Sequence, residues 1–250
     1  MRRKWWSIAA AVGLGLGMVL SAAPAPATNV ITGSGTNPET GNVNTVSAEA
    51  DFTITGPGTL ELVLKNTTAG GTLLRGDTLT GIAFNLATNP ALSLSSITLT
   101  PGSSIYTDSS TINNATPLAG SWTDVLGVTP LRNYGVAATG FNGAFDAGGI
   151  TTGNGGTDYG IVATGTTFGD GFSGSAFPLA LNSLTFDFTF TGSLGEGDVQ
   201  NVLFLFGTEG TGTIPGDHDH NGVPEPAAFF FVAAGLTALG WYGRRTRLAP

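Results

Sequence analysis

Apolar and polar positions alternate along several stretches of the chain, which is the pattern of a β-strand with one buried face. Thr59–Asn66 reads TLELVLKN, so its three leucines share one face of a predicted strand. Ala50–Thr55 alternates in the same way, with Phe52 and Ile54 on one face. Gly56-Pro57-Gly58 separates the two segments and has the composition of a tight turn. We therefore predict a β-hairpin.

Three further segments predict strands of the same kind. Gly81–Leu86 and Leu184–Phe190 each place an apolar side chain at every second position. Leu92–Thr100 does so too, but its apolar positions change phase between Leu94 and Ile97, which predicts a β-bulge. We expect each of these segments to turn its apolar face inward.

The fold class predicted from this pattern is all-β. Asn201–Phe206 is apolar on both faces, which is typical of a central strand. Residues 120–174 are rich in glycine and contain only short apolar pieces, which predicts short strands joined by long loops. Together the segments predict one β-sandwich ectodomain over residues 28–207, jelly-roll-like or immunoglobulin-like, with about eight to ten strands.

The N-terminus has the layout of a secretory signal peptide. Met1–Lys4 is basic, Trp5–Leu20 is apolar, and Ala25-Pro26-Ala27 supplies the small residues of a cleavage site. We predict a signal peptide over residues 1–27. A membrane anchor that is retained is the alternative.

The C-terminus combines a short polar motif, an apolar run and a basic end. Pro224-Glu225-Pro226 precedes Ala227–Tyr242, and Arg244, Arg245 and Arg247 follow. The sixteen-residue run would be about 24 Å long as a helix, against a bilayer core of about 30 Å. We predict a transmembrane helix over residues 227–243 with its basic end in the cytoplasm; a buried helix of a soluble protein is the alternative.

This tail, residues 224–250, resembles the PEP-CTERM sorting signal of exosortase substrates. The resemblance implies a Gram-negative bacterium that often makes exopolysaccharide or biofilm. It also implies export by the secretion machinery, cleavage near the motif by an exosortase-type membrane sorting enzyme, and delivery to the cell surface or extracellular matrix. The body is similar to uncharacterised exosortase-dependent surface proteins, and this likeness implies no activity. The segments that carry it are Phe52–Ile54, Leu60–Thr67, Asp158–Val162 and Val202–Thr208.

Charge and composition exclude several classes of function for the body. Only 10% of the residues are charged, and there is no cysteine, so disulfides and thiol chemistry are excluded. Between Thr28 and Pro224, only Lys65, Arg75 and Arg132 oppose sixteen acidic residues. Such a surface repels nucleic acid. Both histidines lie outside residues 28–207, which excludes a Ser-His-Asp triad there, and we predict no catalysis.

A predicted flexible linker, residues 208–223, contains a candidate metal site. Asp217, Asp219 and Asn221, followed by Gly222, match the first half of a calcium loop. The glutamate expected at the twelfth position is replaced by Ala228. A plain hydrated linker is the main interpretation, and zinc or copper binding by the two histidines is a third possibility.

Two residues of the body are candidates for sugar chemistry. Trp122 is the single tryptophan of the predicted ectodomain and, with neighbouring tyrosines, would form a glycan-stacking platform or else pack in the core. Asp187 is expected on the outward face of a strand, where a second carboxylate would be needed for a glycosidase-like pair. The tyrosines that would form the stacking platform with Trp122 are Tyr106, Tyr134 and Tyr159.

Two classes of function follow from the sequence. The first is an exported, exosortase-sorted surface or matrix protein with a structural or interaction role. The alternative is a carbohydrate-binding β-sandwich for exopolysaccharide, assisted by calcium. A hydrolase ranks behind both.

Overall fold

The computed structural model describes residues 28–37, 43–108, 110–114, 118, 121–128, 132–138, 159–169, 172, 177–207 and 212–218. All of them belong to one compact unit, Pro26–Val223. The predicted signal peptide (1–27) and sorting signal (224–250) lie outside the described residues. Within the described ranges, no helix has the length and apolarity needed to cross a bilayer.

The prediction of an all-β class is confirmed. Helical structure in the described residues is limited to 3₁₀ turns such as Arg75–Asp77 and Glu196–Asp198. The strands are β1 (Thr28–Thr36), β2 (Thr45–Gly56), β3 (Thr59–Asn66), β4 (Thr72–Leu73), β5 (Leu79–Leu86), β6 (Leu92–Leu99), β7 (Ser104–Tyr106), β8 (Trp122–Val128), β9 (Arg132–Ala138), β10 (Ile161–Val162), β11 (Thr167–Phe168), β12 (Leu179–Leu181), β13 (Ser183–Phe190), β14 (Val199–Phe206), β15 (Gly212–Pro215) and β16 (Asp217–His218).

The first sheet has six antiparallel strands in the order β16-β1-β2-β3-β13-β6. The predicted hairpin is confirmed, since β2 pairs with β3 and places Ile54 opposite Leu60. The predicted bulge is confirmed as well. The register between β13 and β6 shifts between Asp187 and Phe188, so Ser95 has no direct partner in the ladder.

The second sheet follows the order β15-β14-β5-β10-β12-β7, and β9 joins β5 to β8 beside this path. A parallel pair, β4 and β11, forms a small third sheet. The prediction that Asn201–Phe206 is a central strand is confirmed, because β14 lies between β15 and β5 and its side chains from Val202 to Phe206 are buried on both faces.

One apolar core joins the inward faces of both large sheets. Phe52 of the first sheet meets Phe84 of the second edge to face, with ring centroids 5.1 Å apart. Trp122 meets Phe186 in the same way at 5.0 Å. Phe84 and Phe186 are fully buried, and burying a side chain of this size contributes roughly 1.5–3 kcal/mol.

The prediction of a flexible linker over residues 208–223 is wrong for residues 212–218. β15 pairs with β14 of the second sheet, and β16 pairs with β1 of the first. Only Gly216 separates these strands, so the chain steps from one sheet to the other in a single residue. The folded body therefore continues to His218 rather than ending at Gly207.

Candidate functional site

The outward face of the first sheet is rich in polar side chains. Its inward positions carry the core, while most of the alternating outward positions carry hydroxyl, carboxylate or amine side chains; Val30 and Val63 also lie on this outward face. The sheet therefore presents a polar surface crossed by several strands. We call it the acidic face, and it includes Thr32, Glu49, Asp51, Thr53, Glu61, Lys65, Ser96, Thr98, Thr185, Asp187 and Asp217.

Two carboxylates lie directly opposite each other on this face. The register of β13 and β3 pairs Asp187 with Glu61, and side chains opposed in this way have Cβ atoms about 4.5–5.5 Å apart. Ser96 Oγ donates a hydrogen bond to Asp187 Oδ2 at 2.5 Å. Glu61 is thus the second carboxylate beside Asp187, which the sequence did not predict. The two strands are not neighbours in the chain, so no local pattern could have revealed the pair.

Asp51 is a carboxyl of the acidic face whose pKa is shifted by its surroundings. Burial raises its pKa above the ordinary value, repulsion by Glu49 raises it further, and Lys65 opposes both effects. Its Oδ1 atom is buried and makes no hydrogen bond. Lys65 Nζ instead lies 3.6 Å from Glu49 Oε1, in a partly exposed ion pair. The face therefore has more negative charge than its one described lysine balances.

The lining of the small pocket that the described residues form does not include the Glu61–Asp187 pair. Glu61 and Asp187 are partly buried residues on the outward face of the first sheet, whereas a glycosidase pair works on a sugar held in a cleft or pocket. A small pocket does lie at one end of the core, but its lining is mostly apolar (Phe52, Ile54, Leu60, Leu86, Leu194 and Val199). The carboxylate there, Asp198, accepts a 2.7 Å hydrogen bond from the Gly195 backbone N–H.

Trp122 is a core residue in this structure. It is 3% exposed, its ring packs against Phe186, and its Nε1 atom donates a 3.0 Å hydrogen bond to the Tyr159 carbonyl. A stacking platform needs an exposed ring face, which Trp122 lacks. The core-packing interpretation of this residue fits its position, and the glycan-binding interpretation does not.

The three candidate tyrosines do not converge around Trp122 as a platform. Tyr134 is buried, stacks on Phe84 at 6.0 Å and donates a hydrogen bond to the Pro90 carbonyl. Tyr159 packs at the edge of the main core, with a left-handed backbone φ of 59°. Tyr106 belongs to a separate group of rings.

That group, which we call the aromatic cluster, consists of Tyr106, Phe168, Phe172 and Phe177. Phe168 lies at its centre, with ring centroids 5.1, 5.0 and 5.4 Å from those of Tyr106, Phe172 and Phe177. All four rings are only partly buried. They pack on a small apolar group of Leu73, Val162 and Leu179, which is distinct from the main core. No local sequence pattern predicts this cluster, because its members come from four separate short segments.

A buried polar network fixes the turn before β5. Asp77 is fully buried, and its carboxylate accepts hydrogen bonds from Asn37 Nδ2 at 3.1 Å, Asn44 Nδ2 at 2.6 Å and the Leu74 N–H at 2.9 Å. Asn66 Nδ2 donates to the Asp77 carbonyl at 3.1 Å. Because N–H donors occupy both carboxylate oxygens, this network ties β1, β2 and β3 to the Arg75–Asp77 turn.

The candidate metal ligands are only partly described. Asp217 is exposed and lies in β16, opposite Thr32; Asp219 and Asn221 lie outside the described residues. The sorting residues Pro224, Glu225, Pro226, Arg244, Arg245 and Arg247 lie outside them as well. Within the described ranges, no three acidic or histidine side chains form a group that could hold a metal ion. Calcium binding stays a prediction.

Comparison with known proteins does not assign the chain to a family. No family model matches the chain, and neither the curated proteins nor the solved structures contain a significant match.

Proposed function

We propose that this chain is an exported bacterial surface or extracellular-matrix protein that an exosortase-type enzyme sorts, and that its body acts through structure and interaction rather than catalysis. The observation that carries the proposal is the sequence of the tail, in which Pro224-Glu225-Pro226, an apolar run and an arginine cluster follow one another. The secretion machinery delivers the chain, the tail holds it in the inner membrane with a cytoplasmic C-terminus, and processing releases it to the surface or matrix.

For the body we propose a single β-sandwich, jelly-roll-like or immunoglobulin-like. The core shared by two large sheets supports it, as do the Phe52–Phe84 and Trp122–Phe186 contacts. The non-catalytic role is supported by the placement of Glu61 and Asp187 on the outward face of the first sheet, away from the lining of the small pocket.

Intact-mass spectrometry of the surface-extracted protein tests this function. We expect a species that has lost residues 1–27 and the part of the tail beyond the sorting motif. A double variant, Pro224→Ala with Pro226→Ala, should be processed more slowly, because the prolines keep Glu225 out of a helical conformation. Recovery of the intact 25.2 kDa chain from the surface would refute the proposal.

The aromatic cluster favours carbohydrate binding as a second candidate function. Partly exposed rings stack on the apolar faces of sugars, and Phe168 with its three neighbours offers such rings where Trp122 does not. Affinity electrophoresis in the exopolysaccharide of the producing strain is the test, with and without calcium. The double variant Phe168→Ala with Phe172→Ala should abolish retardation, whereas Val43→Ala, at an exposed apolar residue outside the cluster, should not. Equal migration of all three proteins would exclude this function.

A further inference from the structure

The strands at the ends of the two large sheets differ in how far they are protected from further pairing. β16 has two residues, and β15 has four and ends at Pro215. β7 has three residues, and Ile112 forms a bridge to it at Tyr106. β8 carries the charged side chain of Asp124, which discourages pairing. β6 has eight residues, ends the first sheet, and pairs with β13 alone among the described strands.

The hydrogen bonds of β13 show which main-chain groups of β6 lie on its outer edge. The Phe190 N–H donates to the Gly58 carbonyl at 2.9 Å, on the side of β13 away from β6. Every second residue of β13 from Phe190 therefore directs its main-chain groups away from β6. Ile97 and Leu99 lie opposite two of those residues. Their own N–H and C=O groups therefore point outward, away from the sheet.

This outer edge lacks the features that usually prevent strands from pairing. Leu92–Thr100 contains no charged residue and no proline. Ser96 and Thr98 are exposed, and Ile97 and Leu99 are only partly buried although they pack against the main core. A strand added here would cover these apolar side chains and would bond the outward main-chain groups.

Two features confine the available edge to a short stretch. At one end, the Leu94 N–H donates to Asp124 Oδ2 at 3.2 Å, and the bulge at Ser95 follows. At the other end, Pro101 has no N–H to offer. The stretch that stays available runs over residues 96–100, and its central residue is Thr98.

A second copy of this chain matches the available stretch position by position. If two β6 strands pair antiparallel about a twofold axis at Thr98, Ile97 of one copy lies opposite Leu99 of the other. Thr98 then lies opposite its own counterpart, and Ser96 lies opposite Thr100. Hydroxyl groups meet on the outward face and apolar groups on the inward face, as in favourable cross-strand pairs. Such a pairing of identical surfaces closes at two copies.

We propose that the protein forms a twofold dimer in which β6 pairs with β6 of a second copy over residues 96–100. The pairs of Ile97 with Leu99 exchange main-chain hydrogen bonds, and the first sheets of the two copies become one continuous sheet. The proposal goes beyond the proposed function, because it depends neither on export nor on processing of the tail.

A single introduced cysteine tests the register, because the chain has none of its own. In the full chain, purified in a mild detergent, Thr98→Cys should form a disulfide between two copies on mild oxidation. Residues opposed in a non-hydrogen-bonded pair have Cα atoms about 4.5 Å apart, within the range of a disulfide.

Ser96→Cys is the matched control for this experiment. Ser96 is exposed on the same face of β6, but its two copies would lie four residues apart along the ladder, or about 14 Å. Cross-linking of Ser96→Cys should therefore be slower than that of Thr98→Cys by about tenfold or more.

Analytical ultracentrifugation of the same full chain tests the interface without cysteine. Thr98→Glu places two like charges opposite each other at the axis and should weaken the dimer by about tenfold or more. Ser93→Glu adds the same charge at an exposed position of β6 outside the ladder and should leave the dimer unchanged. Circular dichroism checks that both variants fold. Added salt should strengthen the dimer, because it screens the repulsion between two acidic bodies.

Each of these measurements can overturn the proposal. Equal cross-linking of Thr98→Cys and Ser96→Cys would mean random collision rather than the stated register. A dimer that survives Thr98→Glu would use another surface. A parent chain that stays monomeric up to about 1 mM would show that the edge does not pair with itself. Association that weakens with salt would indicate an interface between opposite charges, which β6 does not have.

Discussion

At the scale of single residues, the backbone conformation of Asn201 is set by the way its strand pairs with the neighbouring strand. Asn201 is an exposed residue of β14 with a left-handed φ of 51°. It lies where the register between β14 and β5 shifts, and its carbonyl accepts a hydrogen bond from Arg132 Nε. The sequence predicted the strand, but the left-handed residue within it depends on how β14 meets its neighbour.

Substitutions at Asn201 should separate backbone conformation from side-chain contacts. Asn201→Gly should keep or raise the stability, whereas Asn201→Ala should lower it by about 1 kcal/mol, because a Cβ atom without a polar group disfavours the left-handed region. Urea denaturation measures both effects. Gln200→Ala, at the exposed neighbouring position, is the control and should change the stability little. Equal effects of Ala and Gly at 201 would contradict this explanation.

Asp51 should make the stability depend on pH in the opposite direction to an ordinary ion-paired acid. Its pKa in the folded state is raised above 3.8, chiefly by burial, so the folded protein binds this proton more tightly than the unfolded chain does. The associated stability is complete below the unfolded pKa and is lost as pH rises through the folded pKa.

Asp51→Asn should therefore stabilise the protein at pH 7 by roughly 0.5 kcal/mol, a modest value because solvent screens this half-exposed face. At pH 3, where the carboxyl is protonated in both states, the gain should disappear. Urea denaturation of the variant and the parent at the two pH values is the measurement. The same gain at both pH values would show that the charge of Asp51 is not the cause.

At the scale of elements, local alternation predicted some strands well and others not at all. β3 begins and ends where the TLELVLKN pattern does, and the phase change in Leu92–Thr100 located the bulge at Ser95. These signals are local, since one buried face repeats every second residue. β15 and β16 escaped prediction because strands of four and two residues are too short to show a period.

The candidate sites depended on contacts between distant segments. Asp187 was correctly expected on an outward face, but its partner Glu61 is set by the pairing of β13 with β3. Trp122 is buried, whereas the rings of the aromatic cluster are partly exposed, and aromatic composition alone does not predict this difference. Strand order and register determined which of these residues face solvent, and neither can be obtained from one sequence.

The register of β3 and β13 predicts that the Glu61–Asp187 pair weakens the first sheet. Like charges directly opposite each other are destabilising, and an opposite-charge pair contributes about 0.2–1 kcal/mol. Glu61→Lys should therefore raise the free energy of unfolding by about that amount, and Glu61→Gln by less. The gain should shrink in 1 M salt, where the Debye length is about 3 Å. A gain that does not depend on salt would point to packing rather than charge.

At the scale of the whole molecule, the two large sheets share one apolar core. Phe186 of the first sheet contacts Trp122 of the second, and Phe52 contacts Phe84 across the same interface. The strand pair β15–β16 adds a covalent crossing from one sheet to the other at Gly216. Neither inward face can be exposed without exposing the other, which argues for cooperative unfolding of the described body.

Phe186→Ala should test that cooperativity. Removing a fully buried phenylalanine costs about 3–5 kcal/mol, and the loss should shift the unfolding of both sheets together. In the body without its terminal segments, Trp122 is the single tryptophan, so its fluorescence reports on the core while far-ultraviolet circular dichroism reports on all strands. The two signals should give one urea midpoint in the parent and one lower midpoint in the variant. Thr189→Ala, at an exposed position of the same strand, should leave the midpoint nearly unchanged. Separate midpoints for the two signals would mean that the sheets unfold independently, and that the shared core does not couple them.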